Sequence, residues 1–120
     1  MRAKRLPVAG AFHSPLMEPA VEPFRELVER TAVAEPSVPV MSCVTAAPFD
    51  DIRRRLVEAI TRPVRWTDVL RVLRSSGATR FVETGPGRVL TGLTRKTLDD
   101  VVFEAPLSAE TPLAQEAARA

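Results

Sequence analysis

The sequence predicts an α/β fold in which short parallel strands alternate with helices. Three observations support this prediction. Residues 38–44 form a compact apolar run, rich in β-branched side chains and bounded by prolines, which is typical of a buried strand. Apolar residues elsewhere recur at helical spacing, as Ile52, Leu56 and Ile60 do. A second strand candidate, residues 80–83, is followed by a Gly-Pro-Gly turn at residues 85–87.

The first elements predicted along the chain are a thin strand and a long helix. Residues 5–9 are a strand candidate that contains a proline and therefore fits only at an edge or a strand start. A helix over residues 14–33 follows, with Ser14 as its N-cap. Pro19 and Pro23 predict a first turn, a kink and a firmer helix afterwards, because an interior proline removes a helical hydrogen bond.

The middle of the chain predicts one strand, one loop and one helix. The strand over residues 38–44 is followed by a loop over residues 46–49. Asp50 or Asp51 then caps a helix that continues to about Thr61, because short carboxylates accept hydrogen bonds from the first-turn amides.

The C-terminal half predicts two further helices around the second strand. Trp66 opens a helix that ends with Gly77 as the residue after its C-cap. The strand over residues 80–83 is followed by a tight turn and by a last helix over residues 88–98. Residues 106–120, rich in alanine and glutamate, predict a loose tail.

Composition limits the possible functions. The 120 residues are 45% hydrophobic and 27% charged with a net charge of +2, which is ordinary for one soluble domain. The densest basic cluster, residues 53–55, lacks neighbouring aromatic residues and predicts a solvated helix face, not a nucleic-acid surface. A single cysteine, no membrane-length apolar run and no signal-peptide core favour a cytoplasmic protein without membrane contact.

His13 is the obvious candidate for acid–base chemistry, since the chain has no second histidine and no tyrosine. It stands where an apolar run ends and a helix begins, and catalytic groups in open α/β sheets often occupy such strand-to-helix junctions. A histidine that flanks a helix without any chemistry is the commoner interpretation from composition alone.

Other candidates have simpler structural interpretations. Cys43 is more typical of a small buried side chain than of a nucleophile. Residues 85–87 indicate a tight turn, since one Gly-x-Gly is a weak phosphate-loop signal. Trp66 indicates core packing beside Pro63. Ser14 is expected to cap its helix and not to attack a substrate.

Four segments, in order, resemble one known family. They read AFHSPLM at residues 11–17, VPVMS at 38–42, RPVRW at 62–66 and FVETGPGRVL at 81–90. Together they resemble the C-terminal part of malonyl-CoA:acyl carrier protein transacylases, and more loosely the acyltransferase domains of polyketide and fatty-acid synthases. The resemblance extends from about residue 6 to about residue 97.

The resemblance implies a domain organisation. The family has a large hydrolase-like α/β subdomain with a small ferredoxin-like subdomain inserted into it. Residues 1–9 would be the end of that insert and the return to the large subdomain. Residues 10–105 would be the C-terminal part of the large subdomain, and residues 106–120 the tail.

The resemblance also implies an activity and three site residues. The family transfers a malonyl group from coenzyme A to the phosphopantetheine thiol of acyl carrier protein through an acyl-serine intermediate, with malonyl-CoA as substrate and no bound cofactor or metal. His13 matches the general base, and Ala59 supplies the backbone carbonyl that orients it. Phe12 matches a position where phenylalanine accompanies malonyl selectivity, because a ring there removes the volume that an extra methyl needs.

The family's nucleophile motif, G-H-S-x-G-E, does not occur in this sequence, and none of its serines is flanked by glycines. The family's oxyanion loop and its malonyl-binding arginine also precede the matched segments. We therefore expect an incomplete piece that supplies the histidine and is inactive alone. Two alternatives remain: an inactive remnant, and a binding module that docks acyl carrier protein or complements a separate N-terminal chain. The basic residues of such a docking surface would be Arg53, Arg54, Arg55, Arg88, Arg95 and Lys96.

Overall fold

A change of helix type follows the loop that contains His13. The computed structural model describes residues 9–85 and 87–104. Within it, a 3₁₀ helix, Pro15–Ala20, leads directly into α1, Val21–Arg30. The Ser14 hydroxyl accepts a hydrogen bond from the Leu16 amide at 3.4 Å, which confirms the predicted N-cap. The predicted kink is this transition from 3₁₀ to α geometry, and the helix ends three residues earlier than expected.

The predicted strand over residues 5–9 lies outside the described residues, except for its last member. The predicted tail over residues 106–120 lies outside them entirely.

A short antiparallel hairpin replaces the longer strand predicted over residues 38–44. Its strands are β1, Met41–Ser42, and β2, Ala47–Pro48. The expected parallel pairing is therefore wrong for this pair, and the segment predicted as a loop over residues 46–49 contains a strand.

The turn between the two strands explains the reversal. The Ser42 hydroxyl accepts from the Val44 amide at 3.2 Å, and the Ser42 carbonyl accepts from the Ala46 amide at 2.9 Å. Ala46 adopts a left-handed φ of 56°, which brings the chain back beside β1. Serine hydroxyls that bond to the main chain two residues later favour such turns over continued strands.

Helix α2, Ile52–Glu58, begins at the predicted cap. The Asp51 carboxylate accepts from a first-turn amide at 3.0 Å. From its first turn, the Arg53 guanidinium donates to the carbonyls of Val28 at 3.3 Å and Thr31 at 2.9 Å. The Val28 carbonyl also accepts from the Thr31 amide at 3.3 Å. Arg53 thus adds donors at the carbonyl end of α1, where donors from within the helix run out, and ties α1 to α2.

Helix α3, Trp66–Ser75, ends as the sequence predicts. Gly77 has a φ of 97°, a conformation in which a Cβ would be strained. Its amide donates to the Arg74 carbonyl at 3.0 Å, and the Ala78 amide donates to the Leu73 carbonyl at 3.0 Å. This is the Schellman arrangement, which satisfies the last carbonyls of a helix.

The remaining elements form a strand–helix–strand unit. Strand β3, Arg80–Val82, is followed by α4, Val89–Arg95, and by β4, Val102–Glu104. The two strands pair in parallel, so the predicted parallel α/β pattern is present here. Strand β4 is missing from the sequence-based prediction.

Aromatic side chains of β3 and β4 contact each other and an arginine of α4. Phe81 and Phe103 face each other across the pair with ring centroids 6.4 Å apart. The Arg95 guanidinium, from α4, lies 5.0 Å from the Phe103 ring centroid. Such a cation–π contact favours a fixed position of the helix on the strands.

The chain divides within α3 into two compact units, the first ending at Val69 and the second beginning at Leu70. His13, the hairpin, α1 and α2 belong to the first unit. Strands β3 and β4 and helix α4 belong to the second.

Glu83 follows β3 and caps α4. Its carboxylate accepts from the amides of Leu90 at 3.0 Å and Thr91 at 2.8 Å, and from the Thr91 hydroxyl at 2.6 Å. The hydroxyl bond, followed by the amide bonds, lowers the pKa of Glu83 below its ordinary value of 4.5, because all of these donors favour the charged carboxylate.

We expect Glu83→Gln to lower the thermal midpoint at neutral pH, with a difference from wild type that shrinks as the solution is acidified. A carboxyl whose pKa is lowered by folding stabilises above its unfolded pKa, and that stability is lost as pH falls through the folded value. Thermal melts of both proteins between about pH 7 and pH 3 test this. Asp99→Asn, which removes an exposed carboxylate from the same unit, is the matched control. A difference that does not vary with pH would contradict the prediction.

Candidate active site

A hydrogen bond closes the loop that contains His13. The Ser14 hydroxyl donates to the Ala11 carbonyl at 2.6 Å, which closes the loop across Phe12 and His13. His13 itself has a left-handed φ of 58°. For a residue with a Cβ this conformation costs about 1–2 kcal/mol, and such outliers concentrate at functional sites.

His13 forms a hydrogen bond with the backbone carbonyl that the family resemblance implies. Its Nδ1 donates to the Ala59 carbonyl at 2.7 Å. A carbonyl can only accept, so Nδ1 carries the proton and the lone pair of the neutral ring is on Nε2. The structure therefore brings together the predicted base and its predicted orienting group.

The carbonyl is available because α2 ends there. Ala59 is the C-cap of α2, and the last carbonyls of a helix lack donors from within the helix. The preceding carbonyls of Val57 and Glu58 accept from amides just beyond the helix end.

A cavity of about 220 Å³ lies against this histidine. The hairpin supplies a largely apolar part of its wall, and α2 with the segment after it supplies the rest. The lining residues are His13, Met41, Ser42, Cys43, Val44, Phe49, Arg55, Leu56, Ala59, Arg62, Pro63 and Val64.

Phe12 does not line this cavity. Its side chain is 60% exposed, and its ring covers Gly10, where a Cβ would lie 3.5 Å from the ring. The role of Phe12 in substrate selection stays a prediction.

The Ser14 hydroxyl and the Cys43 thiol were the two nucleophile candidates near His13 in the sequence. The Ser14 hydroxyl is engaged by the Ala11 carbonyl, consistent with a cap. Cys43 lines the cavity and is half-buried, less enclosed than the sequence suggested. Burial raises the pKa of the Cys43 thiol, which lowers the fraction of reactive thiolate at neutral pH.

In the basic cluster at residues 53–55, Arg53 and Arg54 are exposed, as the sequence predicts, whereas Arg55 is partly buried, and all three have partners within the chain. Arg53 donates to main-chain carbonyls of α1 and the following residue. Arg54 pairs with Asp50 at 3.0 Å, and Arg55 pairs with Asp50 and with Glu58. Half of the six basic residues proposed for a docking surface are therefore committed to partners in this chain.

Residues 9–85 and 87–104 contain no group of three or more histidine, cysteine, aspartate or glutamate side chains placed to hold a metal ion. None of the helices in that part of the chain has the length and apolar character needed to cross a membrane.

The relatives of the chain include malonyl CoA-acyl carrier protein transacylases and polyketide biosynthesis proteins. The chain is 41% identical over 98 residues to the malonyl CoA-acyl carrier protein transacylase of Bacillus subtilis, with 79% of this chain and 31% of that protein aligned. The same transacylase name belongs to a relative from Synechocystis and to a solved structure from Clostridium perfringens. The chain is also 46% identical over 95 residues to the polyketide biosynthesis protein ThaF of Burkholderia thailandensis, with 78% of this chain and 8% of that protein aligned.

A solved structure agrees with these relatives. A malonyl-transacylase in complex with a type II polyketide synthase acyl-carrier protein matches at 33% identity and a TM-score of 0.79, over 84% of this chain and 34% of that one. No family model matches the chain. The α/β class and the resemblance to the transacylases are thus confirmed, while the chain spans about a third or less of the proteins it matches.

Sequence reasoning missed two features of the transacylase-like site. It placed Arg55 on a solvated face, whereas the side chain is 16% exposed and lines the cavity. It also missed the hairpin that forms the apolar wall. A signal for Arg55 exists in the sequence, since Asp50 and Glu58 lie within reach before and after it.

Proposed function

We propose that this chain is part of an acyltransferase that moves a malonyl group from coenzyme A to the phosphopantetheine thiol of acyl carrier protein. The observation that carries the proposal is the 2.7 Å bond from His13 Nδ1 to the Ala59 carbonyl, which leaves Nε2 as a proton acceptor. The relatives are named for this reaction, and one related structure holds an acyl-carrier protein.

In the first half-reaction His13 acts as general base. Its Nε2 takes the proton from a serine hydroxyl supplied by a segment outside this sequence, and the serine oxygen attacks the malonyl thioester carbon. The carbon–sulfur bond then breaks, and the imidazolium returns the proton to the departing coenzyme A sulfur. A malonyl-serine ester and a free coenzyme A thiol result.

The second half-reaction runs the same steps in reverse. Nε2 takes the proton from the phosphopantetheine thiol of acyl carrier protein, and the sulfur attacks the malonyl-serine carbon. The serine oxygen leaves with the proton from the imidazolium. Ala59 orients the ring through its backbone throughout, so its side chain takes no part. Phe12 is proposed to limit the acyl group to malonyl.

This scheme assigns residues 10–105 to the closing part of the large subdomain of a transacylase. It needs no bound cofactor, since malonyl-CoA is a substrate and the carrier protein brings its own phosphopantetheine. We place the reaction in the cytoplasm.

The test begins with the native polypeptide, recovered from its source with a reagent against this segment. Its intact mass shows whether residues 11–17 belong to a longer chain. Incubation with malonyl-CoA should add one malonyl group to a serine of that chain or of a co-purifying chain, and acyl carrier protein should then remove it. A native protein that never acquires a malonyl group, alone or with its co-purifying chains, would overturn the proposal and favour a binding module or a remnant.

A further inference from the structure

Arg55 joins the two ends of α2. Its Nε and Nη2 atoms donate to the two carboxylate oxygens of Asp50 at 2.7 and 2.6 Å, and its Nη1 donates to Glu58 at 2.7 Å. Asp50 precedes α2, and Glu58 is its last residue. The Arg55 side chain is 16% exposed, whereas the neighbouring Arg54 is 52% exposed. Partly buried ion pairs with this two-pronged geometry are less screened and more rigid than surface pairs.

The main chain of Arg55 holds the same end of the helix. Its carbonyl accepts from the Ala59 amide at 3.0 Å. The side chain thus fixes Glu58 and the carbonyl fixes Ala59, the residue that bonds to His13. Arg55, Ala59 and His13 also line one cavity. The Arg55 guanidinium holds the pKa of Asp50 well below its usual range, so this pair stays charged across the neutral range.

We propose that Arg55 is a positioning residue for the general base, because it fixes the end of α2 and so the direction of the Ala59 carbonyl. The carbonyl keeps the His13 proton on Nδ1 only while it points at that atom. If the last turn of α2 loosens, the ring can rotate or exchange its proton to Nε2, and Nε2 then no longer accepts. This inference rests on the proposed function for its effect on rate, but its effect on the histidine ring can be observed without turnover.

The test compares Arg55→Gln with Arg54→Gln in the native protein. Arg54 also pairs with Asp50, at 3.0 Å, but has no bond to Glu58 and does not line the cavity. We expect R55Q to lower kcat by about 10–100-fold with KM for malonyl-CoA little changed, because misplacement of a catalytic group costs rate more than ground-state binding. R54Q should keep the wild-type rate of malonyl-serine formation, a step in which acyl carrier protein takes no part. Rates are expressed per active site, counted from the burst of malonyl-serine, so that a loss of folded protein does not imitate the effect.

A second measurement reads the ring itself. Nitrogen chemical shifts of labelled histidine, with the His13 signals assigned from an His13→Asn sample, should show the Nδ1–H tautomer in wild type and R54Q. R55Q should show a mixture of tautomers. If R55Q keeps both the wild-type kcat per site and the wild-type tautomer, the inference is overturned. If wild type shows the Nδ1–H tautomer and R55Q loses it while no variant transfers malonyl, the positioning role holds and the proposed function fails.

Discussion

Replacing His13 with asparagine is expected to lower the rate of malonyl transfer by about 10²–10⁴-fold, the usual contribution of a general base. The asparagine amide can still donate to the Ala59 carbonyl, which accepts from Nδ1 in the wild type at 2.7 Å. It has no group at the position of Nε2 that can take a proton. The measurement is kcat for acyl transfer in the native protein, together with the rate of malonyl-serine formation.

Asparagine is the better substitution here because of the backbone. His13 has a φ of 58°, which asparagine tolerates better than most residues with a Cβ. H13N should therefore keep the wild-type thermal midpoint, whereas His13→Ala should also lose the hydrogen bond to Ala59 and some stability. An H13N protein that folds normally and transfers malonyl at the wild-type rate would rule out His13 as the base.

The helix ends marked by a capping residue were the most predictable part of the fold, because such signals are local. The uncapped C-terminal ends were less predictable, since α1, α2 and α4 each stop three residues before the expected position. Ser14 and Asp51 cap the starts of two helical segments, and Gly77 ends a third in the expected left-handed conformation. Each of these residues acts on amides or carbonyls within a few positions. The bond between His13 and Ala59 joins residues 46 positions apart, and it was the family resemblance, not any spacing in the chain, that predicted it.

The strands were less predictable because short strands depend on distant partners. Strand β4 has three residues and is defined by its parallel pairing with β3, across the whole of α4. In the hairpin, β1 and β2 have two residues each, and a serine-stabilised turn decides their direction. Strand propensity describes fit to a neighbouring strand more than a preference of the segment itself.

The partial burial of Arg55 was not predicted for a different reason. Three consecutive arginines on a helix pattern predict a charged outer surface, but consecutive helical residues point about 100° apart. Arg53 accordingly donates to carbonyls around the end of α1, whereas Arg54 and Arg55 share the Asp50 carboxylate. Arg55 alone also pairs with Glu58 and lines the cavity. A run of like charges therefore says little about which of its members is exposed.

Replacing Leu70 with alanine is expected to have the largest effect on stability. Its side chain is 0% exposed, the most enclosed of the apolar side chains in the described residues. Removing it leaves a cavity that the surrounding residues fill only in part, at a cost of about 2–5 kcal/mol in the free energy of unfolding. Chemical denaturation of the native protein measures this. Leu16→Ala is the matched control, because Leu16 is 78% exposed and should change stability by no more than about 0.5 kcal/mol. Equal effects of the two substitutions would mean that Leu70 is not packed as described.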